Sequence, residues 1–168
     1  MSNGSFFGFS LTTERFTIND CDVDNRNLTL WCDAPRTWQT MFKGHGAYPA
    51  PGGVIVSAFV QGYPGNDINA NFNITRLPSG ARLTGGQTIT VDLLRPDVLF
   101  LPYQTKVDLR VMRRFQVGNL RLAPVLDLFN LFNANTVTGV VSTYGSRWQN
   151  ITSIMQARYI RLGAEVEW

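Results

Sequence analysis

The sequence predicts an all-β chain, an antiparallel meander of about six long strands. Three observations carry this: six segments alternate apolar and polar residues, the usual helix formers are scarce, and short turns alternate with long loops. Charged residues make up 16% of the 168-residue chain, with three Glu and two Lys among them, against roughly 25% charged in soluble domains. Gly, Asn, Thr, Val and aromatics dominate instead, a composition that favours pleated structure and turns. No apolar run approaches the ~20 residues of a spanning helix. The length suits one unit, 1–168.

The segments follow in order. Residues 6–16 open with Phe7, Phe9 and Leu11 on one phase, which decays into Thr and Glu. Residues 38–48 and 54–61 flank Pro49-Ala50-Pro51-Gly52-Gly53 as a hairpin, with Val54, Val56, Ala58 and Val60 on one face. Residues 106–112 place Val107, Leu109 and Val111 opposite Lys106, Asp108 and Arg110. After the turn 116–119, residues 120–128 alternate again, and four polar or Gly-containing residues between two such runs read as a tight hairpin. Residues 160–168 give the clearest pattern: Ile160, Leu162, Ala164, Val166 and Trp168 on one side, Arg161, Gly163, Glu165 and Glu167 on the other. A helix would scatter those charges around its circumference, so this is a strand, and it is expected to reach the last residue.

The connections are unequal. Two turns are short, whereas 17–37, 65–104 and 131–157 are long and rich in Asn, Gly, Pro and Thr; compact domains rarely carry three such loops. Short turns at one end and long loops at the other is the plan of an outer-membrane β-barrel, with the turns facing the periplasm. Within the middle loop, residues 88–93 can add one short strand.

Facing a basic side chain to lipid at mid-membrane costs roughly 2–4 kcal/mol, and an acid somewhat less. The face bearing Ile160, Leu162, Ala164, Val166 and Trp168 is therefore expected to meet lipid. Lys43, Asp108, Arg110, Asp127, Arg161, Glu165 and Glu167 are expected to line the lumen, where they pair across strands or border a solute path. Two aromatic girdles follow: Trp168, Phe115 and Tyr48 at the turn ends, and Trp38, Tyr63 and Tyr103 at the loop ends.

The last ~130 residues resemble the C-terminal end of a TonB-dependent outer-membrane transporter of the Oar-like type. The resemblance is carried, in this order and spacing, by Trp38-Gln39-Thr40-Met41-Phe42-Lys43-Gly44, by Val56-Ser57-Ala58-Phe59-Val60-Gln61 with Pro64-Gly65, and by Val107-Asp108-Leu109-Arg110-Val111. It continues through Leu126-Asp127-Leu128-Phe129-Asn130-Leu131-Phe132-Asn133, Tyr144-Gly145-Ser146-Arg147-Trp148-Gln149, and Ala157-Arg158 with the terminal Val166-Glu167-Trp168. Such receptors have a plug domain, a TonB-contacting segment and about 22 strands. The resemblance thus implies the C-terminal fragment of a larger barrel, with neither plug nor signal peptide of its own. It further implies outer-membrane localisation and contact with lipid and with the barrel-assembly machinery. The TonB complex would be reached only through the plug. Two residues depart from the pattern. Trp168 stands where Phe is usual, and Pro124 lies mid-strand, which calls for a bulge or a one-residue register shift near Ala123.

Other residues are weighed individually. Cys21 and Cys32 are expected to form a disulfide in an outward loop, worth roughly 2–3 kcal/mol by chain entropy; two free thiols are the alternative. Asp20, Asp22, Asp24 and Asn25 begin like a calcium loop, but Asn25 and Trp31 stand at the sixth and twelfth positions, which need Gly and Glu, so a solvated acidic loop is favoured. His45 is the only His, lies on a strand phase with Lys43 and Ala47, and reads as a lumen-facing or interface residue rather than a catalytic one. The sequons at Asn3, Asn27, Asn73 and Asn150 are those expected by chance, and the glycines lack phosphate-loop spacing. With 13 scattered Arg and a formal charge of +3, nucleic acid is not an expected partner. The expectation is therefore a non-enzymatic piece of barrel wall and outer loops, without cofactor or metal, from a transporter of a bulky solute. The alternatives are a secreted β-sandwich carbohydrate-binding module and a small self-assembling outer-membrane pore.

Overall fold

A computed structural model describes residues 4–17, 21, 31–33 and 36–168. Among these the strands are β1 (Phe6–Glu14), β2 (Gln39–Ala50), β3 (Val54–Tyr63), β4 (Asn71–Ile74), β5 (Ile89–Asp92), β6 (Gln104–Arg113), β7 (Phe115–Val117), β8 (Leu120–Phe129), β9 (Val137–Val140), β10 (Ile151–Ile154) and β11 (Tyr159–Glu167). The main sheet runs β1-β2-β3-β6-β8-β11, every neighbour antiparallel, with β7 continuing β6 alongside β8. The six long strands read from the alternation are these. β1 stops at Glu14 and β11 at Glu167, so Trp168 lies one residue past the last strand. β1 and β11 are the two edges and the sheet is open.

Residues directly opposite one another in an antiparallel ladder share a face. The register therefore extends each strand's phase across the whole sheet. One row runs Tyr48, Val56, Val111, Leu126, Leu162; the row beside it, on the other face, runs Ala47, Ser57, Arg110, Asp127, Arg161. In a soluble sheet the first row would lie beneath another layer. Here it is at the surface: Leu162 is 79% exposed and Phe9, on the same face, 71%, whereas Asp127 is 4% exposed.

The turn end is compact. Pro51–Gly53 forms a single 3-10 turn in which Gly52 and Gly53 have φ of 79° and 75°, a left-handed conformation open to glycine at little cost. The Gly118-Asn119 pair closes the other hairpin. The Arg114 N–H donates to the Gly53 carbonyl at 3.1 Å, tying the first turn to the junction of β6 and β7.

Pro124 produces neither a bulge nor a shift. Its pairing with Ala164 sits in an unbroken β8–β11 ladder. On the other side, the ladder with β6 stops at Met112↔Val125 and resumes in the same register at Phe115↔Leu122. The missing N–H therefore faces Arg113, and its cost appears as the break that separates β6 from β7.

The long loops hold more structure than their composition suggests. β5 is the short strand expected within 88–93, and it pairs with β4; β9 and β10 form a second hairpin. The two hairpins interlock: the Asn71 N–H donates to the Ser142 carbonyl at 2.8 Å, the Tyr144 N–H to the Asn71 carbonyl at 2.9 Å, and the Trp148 Nε1 to the Asn69 carbonyl at 2.9 Å. The first loop joins them where Trp31 Nε1 donates to the Asp92 carbonyl and Arg36 meets Asp97 at 2.9 Å. At the loop end of the sheet, Tyr103 donates to the Thr40 carbonyl and stacks on Phe42, which stacks on Phe9. Trp38 lies exposed just before β2. Tyr63 does not belong to this girdle, because it pairs with Gln104 and so shares the polar face. Tyr48 and Phe115 lie on the apolar face at the turn end.

A Cβ at Gly65 would run into the backbone of Leu101 and Pro102, whereas one at Gly163 meets nothing within 4 Å. Gly65→Ala is expected to cost about 1–3 kcal/mol by overpacking, and Gly163→Ala less than about 0.5 kcal/mol. Urea unfolding in detergent, followed by tryptophan emission, measures both.

Candidate functional site

The face carrying the charges is the part of the sheet with chemistry to offer. All seven residues expected in the lumen share it by register, and Ile160, Leu162, Ala164 and Val166 share the opposite one. Trp168, beyond the strand, is 92% exposed.

At the centre, Asp127 on β8 stands between Arg110 on β6 and Arg161 on β11, directly opposite both. Arg110 donates through Nε at 2.6 Å and Nη2 at 3.2 Å; Arg161 donates through Nε at 2.9 Å and Nη2 at 2.6 Å. A carboxylate removed from water loses several kcal/mol of hydration. Four charge-assisted hydrogen bonds replace that hydration, and the planar guanidinium fork suits the geometry. The strand pleat aims the three side chains at one another, so the cluster follows from register alone.

A second cluster lies toward the loops. Asp108 pairs with Lys106 at 3.1 Å and accepts the Asn130 N–H at 2.8 Å. Asn130, the residue after β8, has φ of 51°, a conformation that Asn tolerates better than most residues. Its Nδ2 donates to the carbonyls of Ala134 and Gln156, and its Oδ1 accepts the Ala134 N–H. Asn130 thereby fixes where the last long loop leaves and rejoins the sheet. Nearby, the Lys106 ammonium and the Arg161 guanidinium lie 5.7 and 5.3 Å from the Phe129 ring centre, and that ring stacks on Tyr159 at 4.4 Å.

The remaining expected residues are more loosely placed. Lys43 is exposed, opposite Gln61. Glu165 is exposed, opposite Ala123. Glu167 meets Arg121 at 3.3 Å with both side chains 72% exposed. His45 lies on this face opposite Phe59, with its ring edge-on to Phe6 at 6.0 Å. Cys21 and Cys32 are disulfide-bonded, with Cα atoms 4.9 Å apart. Asp20, Asp22, Asp24 and Asn25 lie outside the described residues.

Aromatic members of this face escape a reading confined to charges. Phe59, Phe129 and Tyr159 are in phase with Asp108, Asp127 and Arg161, and parity along each strand was the signal that would have found them. Between the rows opens a cavity of about 390 Å³ bordered by Phe6, Ser57, Phe59, Arg110, Asp127 and Phe129.

Asp127→Asn leaves two guanidiniums without their carboxylate. The expected loss is about 1–3 kcal/mol, less than for a fully buried pair because both arginines are about half exposed. Glu167→Gln, at an exposed pair, is expected to cost under about 1 kcal/mol. Parallel denaturant curves in detergent check the ratio.

Comparison of the chain with protein-family models, with curated proteins and with solved structures returned no match.

Proposed function

We propose that this chain forms the C-terminal part of the wall and outer loops of a TonB-dependent outer-membrane transporter that actively takes up a bulky solute. The observation that carries this reading is the inverted polarity of the sheet. Its continuous apolar face stands at the surface while the most sheltered side chain of its long strands is an ionised Asp127. Such a sheet is stable where hydrocarbon meets the apolar side and water fills the other. The loop asymmetry agrees: two tight turns at one end, and at the other a layer of interlocked hairpins suited to the cell exterior.

In this reading the polar face lines the lumen, and the aromatics Tyr48, Phe115 and Trp168 sit at the periplasmic boundary. The unpaired edges of β1 and β11 take strands from the remainder of the receptor, because lipid cannot satisfy an open edge. A plug supplied by that remainder gates the passage and receives energy from the TonB complex. β11 with its terminal aromatic is the segment offered to the barrel-assembly machinery. The chain contributes wall, recognition loops and assembly signal, and no catalytic step.

Two neighbouring positions on β11 separate this from a soluble β-sandwich. Leu162→Arg puts a charge on the lipid side, at a cost of about 2–4 kcal/mol at mid-membrane, and is expected to weaken the chain's partitioning onto vesicles. Gly163→Arg, on the other face with open space around it, is expected to leave that partitioning intact. Equal partitioning of both variants, or a wild-type chain that stays monomeric without detergent, would overturn the reading. Refolded alone, the six-stranded chain is also expected to show no heat-modifiable gel migration, the mark of a closed barrel.

A further inference from the structure

We infer that the polar face holds a subsite for a neutral, polyhydroxylated solute, a segment of a saccharide chain. This rests on the barrel-wall reading, which makes that face the lining of a watery passage.

Two rows of side chains stand next to each other on this face. One is a hydrogen-bonding row: Ser57, Arg110, Asp127 and Arg161 in successive strands. The row beside it, toward the loops, is ring-bearing: His45 opposite Phe59 on one side, and Phe129 opposite Tyr159 on the other. The cavity of about 390 Å³ opens between them, within the range of small-ligand sites at roughly 300–1,000 Å³.

The charge count selects the ligand class. On the lining of the cavity Arg110 and Arg161 face Asp108 and Asp127, two against two, and all four are joined in ion pairs, Asp108 with the neighbouring Lys106. No net charge remains to favour an anion or a cation. Directional hydrogen bonding does remain: each arginine spends Nε and Nη2 on Asp127, so its Nη1 is a donor held in place by the rest of the fork. The neighbouring hydroxyls of a sugar ring suit fixed donors and a carboxylate edge, while its C–H face suits the flat apolar ring of Phe59 or Phe129. A purely apolar solute would leave the ionic row unsolvated, and a charged one would have to break its pairs.

The test uses the full chain refolded in an amine-oxide detergent, which carries no sugar head group. Maltoheptaose is titrated against an oligogalacturonate and a chitosan oligomer of the same length, with saturation transfer from protein aromatic protons to sugar ring protons as the readout. Maltoheptaose is expected to receive transfer and to bind more tightly than either ionic oligomer. Its affinity should fall at least fivefold in Phe59→Leu, which keeps an apolar side chain but removes the ring, and in Arg161→Gln on the exposed edge strand. No transfer to maltoheptaose, tighter binding of an ionic oligomer, or unchanged affinity in both variants would overturn the assignment. Quenching of Trp168 by brominated lipid, taken as the difference from Trp168→Phe in the same chain placed in vesicles, reports the outward face separately. Quenching without sugar binding sinks the subsite alone; loss of quenching sinks the membrane reading and the subsite with it.

Discussion

Register is the constraint from which the rest of this molecule follows. Across β1, β2, β3, β6, β8 and β11 no ladder slips by a residue, so the alternating phase of one strand is carried unbroken into the next. A slip of one residue would turn a whole strand's charges to the apolar side. Because it does not occur, four consequences arrive together: a continuous apolar face, a continuous polar face, the Arg110–Asp127–Arg161 cluster, and aromatics gathered at the strand ends. None of them needs a helix or a second sheet.

The long strands were legible because side-chain period two is strong over nine to twelve residues, and Arg161, Glu165 and Glu167 fix its sign in the last one. The charged side of the site was legible for the same reason. Tyr63 does stand near a strand end, but parity along the strand decides its face and puts it with Gln104. The consequence of Pro124 is hidden for a subtler reason. A missing N–H disturbs only the neighbour it faces, and the sequence does not say which neighbour that is; it is Arg113, so the β11 side continues undisturbed. The loop hairpins β4, β9 and β10 are four residues each, too short for alternation to rise above composition. Asn130 could not be found that way at all, because its importance lies in four hydrogen bonds to partners as distant as Gln156.

The loop end and the turn end are built on different principles. At the turns, two short connections are held by local backbone geometry and by one bond from Arg114 to Gly53. At the loops, segments from all three long connections are cross-tied through side chains and isolated bridges, including Arg36 to Asp97 and Trp148 to Asn69. Residues that reach across between loops impose order on segments whose composition would otherwise leave them with little backbone pairing. Any recognition surface there is consequently a composite, and replacing one loop disturbs the footing of the others.

The way β11 is fastened sets how it comes away. Near its start, Arg158 donates its N–H to Asn133 and a guanidinium N–H to the Leu131 carbonyl, and two residues into the strand Arg161 grips Asp127. Toward its finish the backbone ladder runs on with the solvent-bathed contact of Glu167 with Arg121 as its side-chain tie, and Trp168 beyond it is 92% exposed. Peeling of this ribbon therefore starts from the carboxyl terminus and stalls at the arginine, so the tip can open and reseat while the upper half stays zipped.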